Sequence, residues 1–394
     1  MITLSLLLAW LLTDLLATYS VLHHRRAFVV PPPLLETPSS VILVALKGVT
    51  PLTPIFLEAL ASQRYANYRL VFALESEADR ACSLLRNLQR QLEGRLEVDI
   101  VIAGLSTCRT QKVHNLLAAL RRLRAEDRVV VFADADILPD ATWLSQLVRP
   151  VAVRETAASC GYRWQLPQDL RFPSLAVAAI DMSIATAARS RRWNLCWGGS
   201  VAIDREVLDR IDLFVVWDRA ASDDLTLSAA LRERGLRMYV PPHVLVPSPM
   251  AHDWGSLFRF AHRQYLLTRV YAFRHWLLSA WLLGVPALAL LIGIRAAWSG
   301  SRWSLGCIIA SGVLLQLRLS TRRSIARIVL EERQFTAAAA TVTFARWAWP
   351  LIHLTHLAAF VSSAIGYRFT WAGVHYRLRR KAVISVERRA VDPG

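Results

Sequence analysis

The sequence predicts an α/β domain with a parallel sheet, held between membrane-spanning segments at the N-terminus and in the last third of the chain. Three observations predict it. Short β-branched runs alternate with helical stretches from about residue 40. Hydrophobic residues reach 54% and mean hydropathy +0.32, with the excess gathered at the two ends. A run of apolar residues ends in two carboxylates one residue apart, Asp134 and Asp136.

Ile2 to Leu22 is almost continuously apolar, broken by Asp14, and about 20 residues suffice to cross a bilayer. No basic segment precedes it and no small-residue cleavage site follows it, so it reads as an anchor rather than a signal peptide. The basic cluster His23, His24, Arg25 and Arg26 comes after it, which places the next domain in the cytosol. Residues 23–39 form a basic, Pro-rich linker, with Pro31, Pro32 and Pro33 as a stiff spacer.

Val41 to Leu46, Leu70 to Leu74, Val98 to Ile102 and Val129 to Ala133 are the expected strands. Thr53 to Gln63, Ala78 to Leu92 and Gln111 to Leu120 are the expected helices between them. Runs this apolar suit a parallel sheet covered on both faces. Ligands of such sheets gather at the carboxyl ends of the strands. The domain is expected over residues 40–272.

Beyond Arg269, Trp276 to Ile294, Trp303 to Leu317 and Trp347 to Gly366 are candidate spans within a membrane region at 273–366. Arg318 to Arg333 reads as an interfacial amphipathic segment. Three full spans would put the basic tail, 367–394, outside. One is therefore expected to be re-entrant or interfacial, or Phe335 to Gly366 to form a hairpin. The expected location is the inner (cytoplasmic) membrane, with the catalytic domain facing the cytosol.

The formal charge is +17, but only Lys47, Lys112 and Lys381 are lysines. The basic clusters flank apolar segments rather than interleaving with aromatic residues, which fits an anionic membrane surface and excludes nucleic acid as the partner. The cysteines, Cys82, Cys108, Cys160, Cys196 and Cys307, are scattered without a C-x-x-C pair, so neither a disulfide framework nor a zinc site is expected.

Four motifs carry chemistry. Asp134 and Asp136 follow a buried strand and can hold a divalent hard cation that neutralises a diphosphate. Asp223 and Asp224 open a helix running through Thr226 to Arg234; they are either dipole partners or a general base for an acceptor hydroxyl. Gly198 and Gly199 lead into a strand at Val201 to Ile203, as a tight turn or as a close approach to a ligand. Arg259, Arg263, Gln264 and Arg269 precede the membrane region, where guanidinium groups clamp a leaving diphosphate or face headgroups. Glu75, Glu77 and Asp79 end the second strand, either to contact a base or ribose or as an isolated acidic turn. Lys112, with His114 and Asn115, opens a helix, either to reach phosphate or as a solvated helix start.

Taken in order, these pieces resemble inverting glycosyltransferases of the family 2 and family 21 type, ceramide glucosyltransferases among them. The resemblance runs from about Ser40 to Arg269, with Thr370, Trp371, Gly373 and Tyr376 near the end. It implies a GT-A domain, the Rossmann-like fold of nucleotide-diphospho-sugar transferases, with N- and C-terminal transmembrane helices. By resemblance, Glu75 or Asp79 is the first acidic position near the nucleotide, and Asp134 and Asp136 are the metal and diphosphate site. Asp224, with Asp223 beside it, is the catalytic base, and Gly198 and Gly199 lie near donor sugar or acceptor. Arg263 and Gln264 stand where the family has Arg-Trp, and Phe260 where Gln or Arg is expected. That departure argues against a processive polysaccharide synthase. The implied cofactor is Mg²⁺ or Mn²⁺, and the implied partners are a nucleotide sugar, UDP-glucose by inheritance, and a membrane lipid such as ceramide. A catalytically inactive scaffold with the same fold is a competing reading. A nucleotidyltransferase also uses paired carboxylates, but no glycine-rich phosphate loop precedes them here.

Overall fold

A computed structural model describes residues 2–388 apart from 33, 35 and 192, with residue 2 described by its backbone alone. Pro33 of the expected spacer and residues 389–394 of the expected tail lie outside the described residues. The elements run α1 (Ile2–Arg26), β1 (Ser40–Ala45), α2 (Thr53–Ala61), β2 (Tyr68–Leu74), α3 (Arg80–Gln91), β3 (Val98–Ile102), α4 (Gln111–Leu120), β4 (Val129–Ala133) and α5 (Trp143–Ala152). They continue β5 (Ala158–Cys160), β6 (Tyr162–Pro167), α6 (Phe172–Ala185), β7 (Ser200–Asp204), α7 (Arg205–Ile211), α8 (Leu213–Val216), α9 (Asp223–Glu233), β8 (Met238–Tyr239) and β9 (Leu245–Met250). The chain then forms α10 (Trp254–Tyr271), α11 (Phe273–Trp298), α12 (Arg302–Val329), α13 (Glu332–Ser362), β10 (Arg368–Trp371), β11 (Val374–Arg379) and β12 (Ala382–Arg388).

The chain divides into two compact units, neither continuous in sequence. One comprises residues 30–163, 189–248 and 367–394; the other comprises residues 1–29, 164–188 and 249–366. The first holds a seven-stranded sheet in the order β3-β2-β1-β4-β7-β5-β8. β3, β2, β1 and β4 are mutually parallel, whereas β7 runs antiparallel to both β4 and β5. Val41 to Val44, Leu70 to Leu74 and Val129 to Ala133 are all buried, which is why these strands are solidly apolar rather than alternating. Full burial of such a side chain is worth about 1.5–3 kcal/mol. Arg69 on β2 forks onto Asp127 just before β4, with Nε–Oδ1 at 3.0 Å and Nη2–Oδ2 at 2.5 Å.

Two features of this sheet place a site. β1 is flanked by β2 on one side and β4 on the other, so the order reverses between β1 and β4, where ligands of doubly wound sheets bind. The antiparallel β7 pairs Ser200 with Ala133. The residues entering β7, Trp197 to Gly199, are thereby delivered to the same edge at which β4 ends.

The C-terminal segment is folded. β10, β11 and β12 form a three-stranded antiparallel meander. Residues of β11 alternate strictly between buried and exposed, with Val374, Tyr376 and Leu378 inward and His375, Arg377 and Arg379 outward. The basic residues that made this stretch read as a tail are the outer face of a sheet.

The second unit is helical: α1, α6 and α10 to α13. Among the described residues, three helices are long and apolar enough to cross a membrane, at Thr3–Arg26, Phe273–Trp298 and Arg302–Val329. Two expectations are corrected here. Arg318 to Arg333 is not a separate interfacial segment, because α12 continues unbroken from Arg302 to Val329. Phe335 to Gly366 is not a hairpin, because α13 runs as one helix from Glu332 to Ser362. The physical reason for the first lies in Asp14. Arg318 Nη2 pairs with Asp14 Oδ1 at 2.7 Å, and its Nη1 reaches Asp14 O at 3.0 Å and Thr18 Oγ1 at 3.2 Å. Ser311 Oγ also bonds the Asp14 carboxylate. The arginine that looked like the start of a surface segment is the buried partner of the one acid in α1.

Candidate active site

At the carboxyl edge of β4, Asp134 is half-buried and its backbone N–H donates to Gly199 O at 3.3 Å, one step beyond the Ala133–Ser200 pair. Asp136, two residues on, is solvent-accessible but set within the mass of the protein. That desolvation, together with the charge of Asp134, raises its carboxyl above the ordinary aspartate range, against the pull of Arg163 and Lys112.

Lys112 reaches this edge from the first turn of α4. Its Nζ lies 2.6 Å from Asp134 Oδ1 and 3.0 Å from Asp223 Oδ2. Burial alone would push this ammonium down, but Asp134, Asp223 and Asp224 outweigh it and hold Lys112 firmly protonated. His114 and Asn115 on the same helix do not join it. His114 Nε2 bonds Ala103 O at 2.9 Å, and Asn115 is buried against Ala73 O and Gln111.

Asp223 and Asp224 open α9, whose N-cap Ser222 accepts from Leu225 N. Asp223 is buried, and burial, opposed by Lys112 but reinforced by Asp224 and Asp134, pushes its carboxyl up to about 6. Asp224 accepts hydrogen bonds from Gly198 N at 3.2 Å, from Leu225 N at 2.7 Å and from Ser222 Oγ. Those bonds fix the carboxylate at the mouth of the helix, where the dipole favours negative charge.

The glycines are there for space. A Cβ at Gly198 would sit 2.2 Å from Asp223 Oδ2 and 3.0 Å from Lys112 Nζ. A Cβ at Gly199 would sit 2.3 Å from the Trp197 ring. Only glycine lets this loop pass between the acidic motifs.

Lys112, Asp134, Gly198, Gly199, Asp223 and Asp224 are therefore brought together by four separate segments of one unit. Glu75 and Asp79 take a different part of the same edge. Glu75, just past β2, pairs with Lys47, just past β1, at 3.0 Å. Asp79 caps α3 through Ala81 N at 2.9 Å and clasps Gly48 N with both oxygens, at 3.0 and 2.9 Å. Its carboxylate is committed to these backbone contacts, whereas the described partner of Glu75 is the exposed side chain of Lys47. Arg263, Gln264 and Arg269 lie on α10 in the helical unit. Arg269 bonds the carbonyls of Ala364 and Gly366 past the end of α13, and Arg263 stacks over Phe260. Sequence reasoning gave no role to Lys47, the partner of Glu75. Lys47 had a signal available, being one of three lysines in the chain and directly following a strand on the ligand edge.

The family described as glycosyl transferase family 21 matches residues 6–384, nearly the whole chain. The chain belongs to that family. It is a glycosyltransferase, and the α/β sheet with apolar helices at the N-terminus and in the C-terminal region is the architecture in which it carries out sugar transfer. A comparison with curated proteins found no match. Among solved structures, the chain is similar to the mannosyltransferase PcManGT from Pyrobaculum calidifontis in complex with GDP-Man and Mn²⁺. The two are 18% identical over 91% of this chain and 99% of that one, with a TM-score of 0.48. It is also similar to GalNAc-T7 with UDP, GalNAc and Mn²⁺, at 12% identity over 57% of this chain and 48% of that one, with a TM-score of 0.39. Both are distant likenesses.

Proposed function

We propose that this glycosyltransferase transfers a single sugar, with inversion, from a nucleotide-sugar donor to the hydroxyl of a membrane lipid, at a GT-A type site on the carboxyl edge of β4. The observation that carries the reading is the convergence of Asp134, Lys112 and Asp223–Asp224 within one ion-pair cluster at the point where the sheet order reverses. Paired carboxylates and a fixed cation at that point suit a diphosphate on one side and an acceptor hydroxyl on the other.

The residues fit a divalent metal in one specific way. Among the described residues no three His, Cys, Asp or Glu side chains gather as a self-sufficient cage. Asp134 and Asp136 offer hard oxygen atoms; desolvation first, and then the charge of Asp134, raise the Asp136 carboxyl, and a cation would relieve both. One or two carboxylates plus substrate phosphates are the usual donor set of Mg²⁺, and Mn²⁺ also favours oxygen ligands. When bound, such an ion neutralises the charge of the leaving diphosphate. Lys112 supplies a permanent positive charge to the same group. Glu75, at the end of β2 on the same sheet edge, is the nucleoside contact in this reading. Asp224, held by Gly198 N, Leu225 N and Ser222 Oγ, takes the proton of the acceptor hydroxyl, worth about 10²- to 10⁴-fold in rate. The hydroxyl then attacks the anomeric carbon from the face opposite the leaving group. Gly198 and Gly199 keep that face free of side chains.

The membrane lipid as acceptor is supported by the three apolar helices carried on the same chain. The cytosolic orientation is supported by the basic cluster after α1. Glucose from UDP-glucose and a ceramide-like lipid are the specific pair we propose. The test incubates the detergent-solubilised full chain with a panel of nucleotide sugars and extracted membrane lipid, with and without Mn²⁺. Mass spectrometry should find one glycolipid carrying one added sugar. Long polymer instead would favour a synthase, and donor binding without product would favour a scaffold.

A further inference from the structure

The motif at Thr370 to Tyr376 has no role in the mechanism above, yet its meander reaches the site through buried contacts. Tyr376 is 2% exposed and stacks on Phe369, with ring centroids 5.1 Å apart. Its Oη accepts from the backbone N–H of Gln111, the first residue of α4, at 3.1 Å. Thr110, the N-cap of α4, makes no side-chain capping bond, so this hydroxyl satisfies an N–H the helix leaves open. Arg388 at the end of β12 donates to Gln111 Oε1 at 2.6 Å and to Ser106 O at 3.0 Å. Gln111 in turn bonds Ser106 N, Gly104 O and Asn115 Oδ1.

The meander also grips the loop that leads to the second acidic motif. Val383 N donates to Arg219 O at 2.8 Å. Arg219 has a φ of 33°, in the left-handed region, and lies three residues before Ser222. That loop is itself sewn to the start of α4 by Thr110 N to Ala220 O at 3.2 Å and by Arg109 to Asp218 at 2.9 Å. Lys112 sits one residue beyond Gln111, and Asp223 one beyond Ser222.

We infer that the C-terminal meander is a positioning element of the donor site, in which Tyr376 and Arg388 fix the first turn of α4 and so set Lys112 against Asp134 and Asp223. The inference rests on the proposed reading of Lys112 as a donor-diphosphate contact. Removing the Tyr376 hydroxyl leaves the ring stack intact and frees the α4 N-terminus, so the effect falls on the donor and not on the acceptor.

The experiment measures binding of UDP, GDP, ADP, CDP and dTDP to the detergent-solubilised full chain with Mn²⁺, in wild type, Tyr376→Phe, Arg388→Lys and Lys112→Met. The two meander variants are repeated in the Lys112→Met background. Loss of one such buried hydrogen bond is expected to weaken nucleotide binding about five- to tenfold. In the Lys112→Met background the same substitutions should add nothing further, and acceptor KM should not move. Arg388→Lys provides the second probe should Tyr376→Phe fail to fold. If Lys112→Met binds every nucleotide like wild type, or wild type binds none, the donor-site reading fails. If Lys112→Met is weakened while the meander variants bind normally, or their losses add fully to that of Lys112→Met, the positioning inference alone fails.

Discussion

The ammonium of Lys112 stands 2.6 Å from Asp134 Oδ1, so the strand-end carboxylate of β4 and the first turn of α4 are tied by a single contact. The same ammonium lies 3.0 Å from Asp223, making Lys112 the shared counter-ion of two acidic motifs 89 residues apart in sequence. Lys112→Met leaves both carboxylates without their partner. Breaking a buried pair from one side costs about 3–5 kcal/mol. The variant should melt well below wild type and bind nucleotide at least about tenfold more weakly, as thermal unfolding and nucleotide titration will show.

Asp223 gives the site a pH signature. Its folded pKa of about 6 lies above the ordinary aspartate value of about 3.9. Between those values the folded chain holds a proton that the unfolded chain has released. The stability Asp223 contributes is therefore complete below about pH 4 and lost as pH rises through 6, by about 3 kcal/mol at most. Thermal melts from pH 4.5 to 7 should show this decline in wild type. Asp223→Asn, which cannot titrate, should flatten that part of the profile.

Gly198→Ala tests the space between the motifs. The added methyl falls 2.2 Å from Asp223 Oδ2, so the loop, the carboxylate or Lys112 must move. Since an ångström of misplacement can cost about 10²-fold in rate, turnover should fall by that order. Circular dichroism should remain that of a folded protein, because the glycine lies in a loop and not within an element.

The centre of the sheet was legible because β1, β2 and β4 are buried on both faces. β4 falls on Val129 to Ala133, the edge strand β3 on Val98 to Ile102, and α4 on Gln111 to Leu120, as the sequence pattern predicts. Asp134 and Asp136 were legible for the same reason, since a carboxylate pair directly after such a strand has one place to go. What sequence could not supply was pairing across distance. Lys112 bridging Asp134 and Asp223, Glu75 meeting Lys47, and Arg318 meeting Asp14 join residues 22 to 304 positions apart, and no local period records them. The C-terminal strands were hidden by composition. With Arg377, Arg379, Arg380 and Lys381 close together, the charge obscured the alternation of Val374, Tyr376 and Leu378 beneath it.

The Asp14–Arg318 pair makes a prediction for the helical unit. Arg318→Leu strands a buried carboxylate and should destabilise the protein by about 3–5 kcal/mol, whereas the double variant Asp14→Leu with Arg318→Leu removes both charges and should recover most of the loss. Thermal melts of the three proteins in one detergent decide it: equal melting temperatures of the single and double variants would show that a stranded Asp14 carboxylate is not what destabilises Arg318→Leu.

In the proposed transfer Asp224 is the base and Asp134 holds the donor. The most direct measurement compares wild type, Asp134→Ala and Asp224→Asn for glycolipid formation and for nucleotide binding under the same Mn²⁺ concentrations. Asp224→Asn should bind nucleotide like wild type but form product about 10²- to 10⁴-fold more slowly, while Asp134→Ala should lose both. Wild-type turnover in Asp224→Asn, or undiminished Mn²⁺-dependent nucleotide binding in Asp134→Ala, would contradict it.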